Sequence, residues 1–142
     1  MFPGGSTLGS ISPSGKWIAL TALSNGTWDV FVAPTAHPDT LVRITRDGGL
    51  EPLWTADESE IVYRNHRAWY AVSVSTKGEF RAGTPRRLFD GSYRDVPGYS
   101  HAITSDGRRH LLLLSSSAQT ARRIELVFGW ASALRRVTSR AP

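Results

Sequence analysis

The sequence contains no cysteine, which excludes a disulfide framework and any thiolate metal site. Oxidising and reducing compartments both tolerate that absence, so it does not locate the protein. Lysine is scarce as well. Lys16 and Lys77 are the only two, and the formal net charge of +5 rests almost wholly on arginine. Long apolar runs are missing too. Runs such as Leu111 to Leu114 fall far short of the roughly 20 residues that a membrane-crossing helix needs. The opening MFPGGSTLGS lacks the basic start and apolar middle of a signal peptide, so any export signal is expected to lie outside this chain.

What is present suits one domain. A chain of 142 residues can bury a real core but not two comfortable ones. Glycine and proline are scattered rather than massed, which argues against disorder and collagen. The arginines occur singly and as the pairs Arg86-Arg87, Arg108-Arg109, Arg122-Arg123 and Arg135-Arg136, each beside a strand or a chain end. That distribution reads as solvated strand faces rather than a nucleic-acid footprint.

The informative stretch is ISPSGKWIAL, Ile11 to Leu20, in which a Ser-Pro-Ser-Gly turn runs straight into an apolar strand. TADESEIVY from Thr55 and TSDGRRHLLLL from Thr104 repeat it, with Ser14, Asp57 and Asp106 in the same place at spacings of 43 and 49 residues. Units of about 40–50 residues made of strands indicate propeller blades. The turn has a mechanism: its first Ser or Thr hydroxyl can bond nearby backbone, Pro13 presets its own φ, and glycine accepts positive φ. Glu58 stands where the other copies have Gly15 and Gly107. A left-handed conformation there would carry a strain of roughly 1 kcal/mol.

Each turn leads into a similar strand series. The first unit continues with WIALTAL, the hairpin pair Asn25-Gly26, WDVFVAP and an outer LVRIT. The second continues with EIVYRN, AWYAVSV and RRLF, and the third with HLLLLS and RIELVF. Short inner strands TLGSI, EPLWT and YSHAI precede the turns, giving about four strands per unit. The expected fold is all-β: a partial propeller of about three four-stranded antiparallel blades, at about 7–46, 51–90 and 98–128. Trp130, Leu134 and Val137 fall at helical spacing and predict a short C-terminal helix over about 130–138. Three blades cannot close an ordinary ring. The expected shape is an open arc whose end faces expose apolar side chains from WIALTAL and HLLLLS and favour association.

These units resemble the bacterial WD-repeat-like propeller motif of the TolB type, roughly P-x-W-S-P-D-G-[KR]-x-[IL]-x-[FY]. Pro52 and Trp54 match its proline and tryptophan, Asp57 and Asp106 match its aspartate, and Ser14 departs from it. GGLEPLWTADESEIVYRN, AGTPRRLF and GWASALRRV follow one another in the order seen in carboxy-terminal propellers attached to bacterial serine/threonine protein kinases and related sensors. The resemblance covers nearly the whole chain. It implies a propeller in a carboxy-terminal position and, if the chain is TolB-like or sensor-like, a periplasmic or exported setting. It implies little about activity, because propellers host many functions.

Motifs for chemistry are thin. No glycine-rich loop, strand lysine, H-R-D or D-F-G stretch of a kinase occurs, and Asp90-Gly91 reads as a turn. GYSHA around Ser100 is one residue off a nucleophile elbow, but it falls on an expected inner strand rather than a strand–turn–helix. His37, His66, His101 and His110 show no metal-ligand spacing. His110 aligns with Ile18 and Ile61, and His66 sits in a hairpin turn. Asn25 in NGT reads as a turn residue rather than a glycosylation site. The expectation is a chain with no catalytic, cofactor-binding or metal site and no cofactor, and no individual binding residue stands out.

The expected role is a non-catalytic protein-binding or scaffolding propeller, the C-terminal fragment of a larger one. Its expected partners are a protein or peptide at the propeller face, including the Ser12–Gly15 turn and its counterparts. Missing blades or a second copy would complete the ring. The alternative is an accessory sensor domain of a bacterial serine/threonine kinase or propeller-linked peptidase whose catalytic domain lies elsewhere.

Overall fold

The computed structural model describes residues 6–91, 98–104 and 109–113. The expected RIELVF strand, the helix over about 130–138, and Asp106 and Gly107 of the third turn lie outside those residues. The described chain is all-β. A first antiparallel sheet runs β1 (Ser6–Ile11), β2 (Trp17–Ser24), β3 (Thr27–Pro34) and β4 (Val42–Arg43), in sequence order. A second runs β5 (Leu50–Trp54), β6 (Glu60–Asn65), β7 (Ala68–Ser75) and β8 (Arg81–Ala82), with β9 (Arg86–Asp90) also on β7. β10 (His101–Ile103) and β11 (His110–Leu112) pair as the start of a third.

Alternation along the strands decides the packing. Ala19, Val30 and Val32 of the first sheet meet Trp54, Ile61, Tyr63 and Val72 of the second, and Ile44 and Phe80 complete that core. The other face of the second sheet presents Val62, Trp69 and Ala71, against which Leu88, Phe89, Ile103 and Leu112 pack. Side chains two apart share a face, so Ile61 and Tyr63 point one way and Val62 and Arg64 the other. One sheet thus serves two interfaces, as a blade between neighbours must.

Two details differ from the sequence expectation. The outer edge of β7 is shared: β8 takes Val74 and Ser75, while β9 takes Ala68 to Ala71. The detour between β7 and β8 carries Phe80 inward, where its ring lies 5.3 Å from that of Trp17. Burying that ring directs the chain away from a single straight outer strand. The far face of the first sheet also differs from the apolar exposure expected at an end of the arc, because Leu20, Ala22 and Phe31 are buried and Ile18 and Leu41 pack against them. Leu41 belongs to the β3–β4 connection, which brings an apolar side chain back onto this face. At the other end Leu111 and Leu113 are exposed, at 72% and 49%.

Candidate functional site

The repeated turns have one bonding scheme. The amides of Ser12, Thr55 and Thr104 donate to the carbonyls of Trp17, Glu60 and Arg109 at 2.8, 3.0 and 3.0 Å. In return the amides of those same three residues donate to the hydroxyl oxygens of Ser12, Thr55 and Thr104 at 3.3, 3.0 and 3.1 Å. A hydroxyl at the first position therefore closes each turn. At the tip, Gly15 has φ 73° and Glu58 has φ 57°, so the glutamate does occupy the left-handed position. Asp57 accepts from Thr55 and from the Ser59 amide and hydroxyl. These bonds hold its carboxyl below the usual range, the Thr55 hydroxyl contributing most. The Ser14 amide donates to the Glu58 carboxylate, which joins the first two turns.

A second polar cluster lies where the second sheet meets the third. β5 is bulged between Leu50 and Leu53, and in that bulge Glu51 takes φ 56° while only 2% exposed. A bulge residue near the left-handed region turns its side chain out of the ladder. Its Oε1 accepts from Arg64 Nε at 3.1 Å and Nη2 at 2.9 Å. Its Oε2 accepts from the Ser100 amide at 2.7 Å and the Ser100 hydroxyl at 2.6 Å, and lies 3.4 Å from His101 Nδ1. Burial pushes the Glu51 carboxyl up, but the bonds from His101 and Ser100 and the Arg64 charge outweigh it and hold it down to about 2. For His101 burial dominates and lowers its pKa, leaving the ring neutral. That ring sits 3.9 Å from Trp69, and its Nε2 is buried with no bonded partner among the described residues.

A third feature is a groove of about 680 Å³ along the seam between the first and second sheets. One wall is the β4–β5 connection, fixed by Asp29. This fully buried carboxylate accepts from Arg43 Nη2 at 2.6 Å, Thr45 Oγ1 at 2.8 Å and the Gly48 amide at 3.3 Å. Thr45 Oγ1 in turn accepts the Val30 amide at 2.9 Å, a side chain standing in for a ladder carbonyl. The opposite wall is Ala82 at the end of β8 with the 83–85 connection to β9. Tyr63 and Tyr70, stacked with centroids 5.6 Å apart and planes 15° from parallel, line the floor. Burial, aided by Tyr70 and the Asp47 and Asp29 carboxylates, pushes the Tyr63 phenol up to about 12.

Ser100 lies just before β10 rather than inside it, and 1% of it is exposed. The structure brings Ser100 and His101 together, both on the same Glu51 oxygen. His37 and His66 are exposed on separate loops, and His110 sits edge-on to Phe89 at 5.6 Å. Among the described residues no three His, Asp or Glu side chains converge as a metal site would require. Sequence reasoning did not single out Glu51, Arg64 or Asp29. For Asp29 and Arg64 the signal was there: each is a charged residue inside a run of β-branched and aromatic neighbours, where alternation would bury it.

No protein-family description matches the chain, and no curated protein does. Among solved structures it is similar to TolB from Acinetobacter baumannii, at 23% identity and a TM-score of 0.58. The match covers 78% of this chain and 27% of that one, so the chain spans about a quarter of that relative's length. With the sheet order described above, this likeness shows the fold of the described residues to be that of TolB-type β-propeller blades.

Proposed function

We propose that the chain is a non-catalytic, protein-binding segment of a β-propeller whose ring is completed by further blades or by a second copy. The observation that carries this reading is the use to which Ser100 and His101 are put. The serine is the best candidate nucleophile and the histidine the best candidate base. Both turn their polar atoms to Glu51 inside a seam, at 1% and 6% exposure. A nucleophile needs an open approach and a base aligned on its own proton. The exposed features, by contrast, are the turn tips and the seam groove, which suit contact with another polypeptide. Purified protein should neither react with a fluorophosphonate probe nor hydrolyse ATP, and labelling at Ser100 would overturn the non-catalytic part. Cross-linking from the Ser14 and Glu58 turns in lysate should capture a protein partner.

The arginines support the same reading against nucleic acid. Arg43 pairs with Asp29, Arg64 with Glu51, Arg86 with Glu60 and Arg87 with Asp90. Charges neutralised within the fold contribute little to a phosphate-binding surface. A sensor module of a kinase or propeller-linked peptidase is the second reading, favoured by the order of GGLEPLW and AGTPRRLF along the chain. A catalytic domain in the same reading frame would select it.

A further inference from the structure

We propose that the open face of the third sheet is the docking surface for the chain's own C-terminal segment, residues 130–138, laid on it as a short amphipathic helix. The inference goes beyond the protein-binding reading above and stands or falls without it.

Comparison between the units marks out the face. Counted from the hydroxyl at the head of each turn, Leu111 is equivalent to Ala19 and Val62, and Leu113 to Thr21 and Arg64. All four counterparts are buried, the most accessible being Arg64 at 7%. Ala19 lies in the core shared by the first and second sheets, and Val62 in the one shared by the second and third. Each is roofed by the layer that follows. Leu111 and Leu113 are exposed instead, and so is Ala102, the register partner of Leu111 on β10. Among the described residues the third sheet has no following layer.

The sequence carries a matching layer close by. Trp130, Leu134 and Val137 share one side of a helix, while Ser132, Arg135 and Arg136 fall on the other. A helix this short is not stable by itself in water and needs an apolar surface to lie on. Residues 129–142 are too few for another unit of about 40–50 residues, so this stretch supplies a helix rather than a further sheet.

The route of the chain selects the contact. In the first two units the third strand returns to the head turn. There the Thr35 amide donates to the Lys16 carbonyl at 2.9 Å, and the Val74 amide to the Ser59 carbonyl at 2.8 Å. RIELVF on the same course would end beside the third turn and bring Trp130 next to Leu111, near the start of β11. Tethering then favours this occupant over a second copy, because a short linker holds the local concentration on the order of millimolar. A blade that completes the ring on this side has to displace the segment.

The test exploits the absence of cysteine from the whole 142-residue chain. Leu111→Cys combined with Leu134→Cys should form a disulfide within one molecule under mild oxidation, as read on a non-reducing gel. Val42→Cys combined with Leu134→Cys should not, since Val42 is exposed on the first sheet. Leu111→Cys alone should react slowly with a maleimide. Adding Leu134→Glu should speed that reaction about tenfold or more, with the circular dichroism spectrum retained. A disulfide-linked dimer in place of the internal bridge assigns the face to a second copy and overturns the inference. Equal bridging from Val42 and Leu111 overturns it too, as a segment that settles nowhere would behave that way. So does the lack of any bridge in a folded chain, or a maleimide rate that Leu134→Glu leaves unchanged. None of these outcomes touches the protein-binding reading, which rests on the cross-linking from the turns.

Discussion

The Ser14 amide donates to the Glu58 carboxylate across the seam between the first two sheets, although the residues are 44 apart in sequence. Both stand at the tips of equivalent turns. Glu58 thus has a cost and a benefit at once: a left-handed backbone at φ 57° and a bond to the neighbouring blade.

Two substitutions separate these effects. Glu58→Ala keeps the strained φ and loses the bond, while Glu58→Gly loses the bond but relieves the backbone. The glycine variant is expected to be more stable than the alanine variant by about 1 kcal/mol. Urea denaturation of the pair measures the difference. Equal midpoints would mean the backbone at residue 58 is unstrained.

Glu51→Gln should be far more damaging. The amide is nearly isosteric, yet it removes the charge that faces the buried Arg64 guanidinium and offers Ser100 a weaker acceptor. Breaking a buried pair from one side typically costs about 3–5 kcal/mol. Denaturant unfolding should show a loss near that size. A change within the noise of an ordinary surface mutation would show that the cluster is not closed.

The same cluster predicts how stability varies with pH. His101 has a folded pKa below its usual 6.5, so the unfolded chain binds the proton first and stability falls as pH drops below about that value. Glu51 is held down to about 2 against an ordinary 4.5. Its contribution is complete above 4.5 and is lost as pH falls from there toward 2. The two windows act in the same direction but at different pH. His101→Gln should shrink the upper step to the share of His110, whose pKa burial also lowers, and narrow the lower one by removing a bond that holds Glu51 down, as read from melting temperature against pH.

Gly49→Ala tests the wall of the groove. A Cβ there would stand 2.8 Å from Val30 Cγ2 and 3.0 Å from Thr45 Cγ2, both in packed surroundings. Overpacking of this kind costs about 1–3 kcal/mol. Thr45 would have to move, and with it the bonds to Asp29 and Val30. Thermal melting should show the loss. An unchanged melting temperature would mean the β4–β5 connection is loosely held.

Much of the fold was legible because it is local and repeated. The Ser/Thr hydroxyl at the head of each turn, the Asn25-Gly26 hairpin with φ 50° and 78°, and the inward alternation of Ile61 and Tyr63 depend on near neighbours. The split outer edge of β7 was not legible, because two-residue pairings such as Arg81–Ala82 leave no periodic trace. Glu51 was hidden for a different reason. Its burial depends on a bulge and on Ser100 and His101, 49 and 50 residues away, and distance along a chain does not reveal such partners. The groove has the same origin, since each of its walls belongs to a different sheet.

The self-closing turns have a practical consequence. Because the hydroxyls of Ser12 and Thr55 bond the amides of Trp17 and Glu60, the residues between them are held as a loop whose base is already tied. Residues 13–16 and 56–59 thereby become natural ports for insertion. A short epitope or fluorophore tag inserted beside the Gly15 tip, with Gly15 and its φ of 73° kept, should leave strand pairing undisturbed, since the space around that tip is open within 4 Å. The Glu58 tip is the less forgiving port, since Glu58 supplies the side chain of the tie to the neighbouring turn, to which the first turn gives only the Ser14 backbone amide. The repeat thus provides two handles of unequal tolerance on one edge of the molecule, which a protein engineer could label independently.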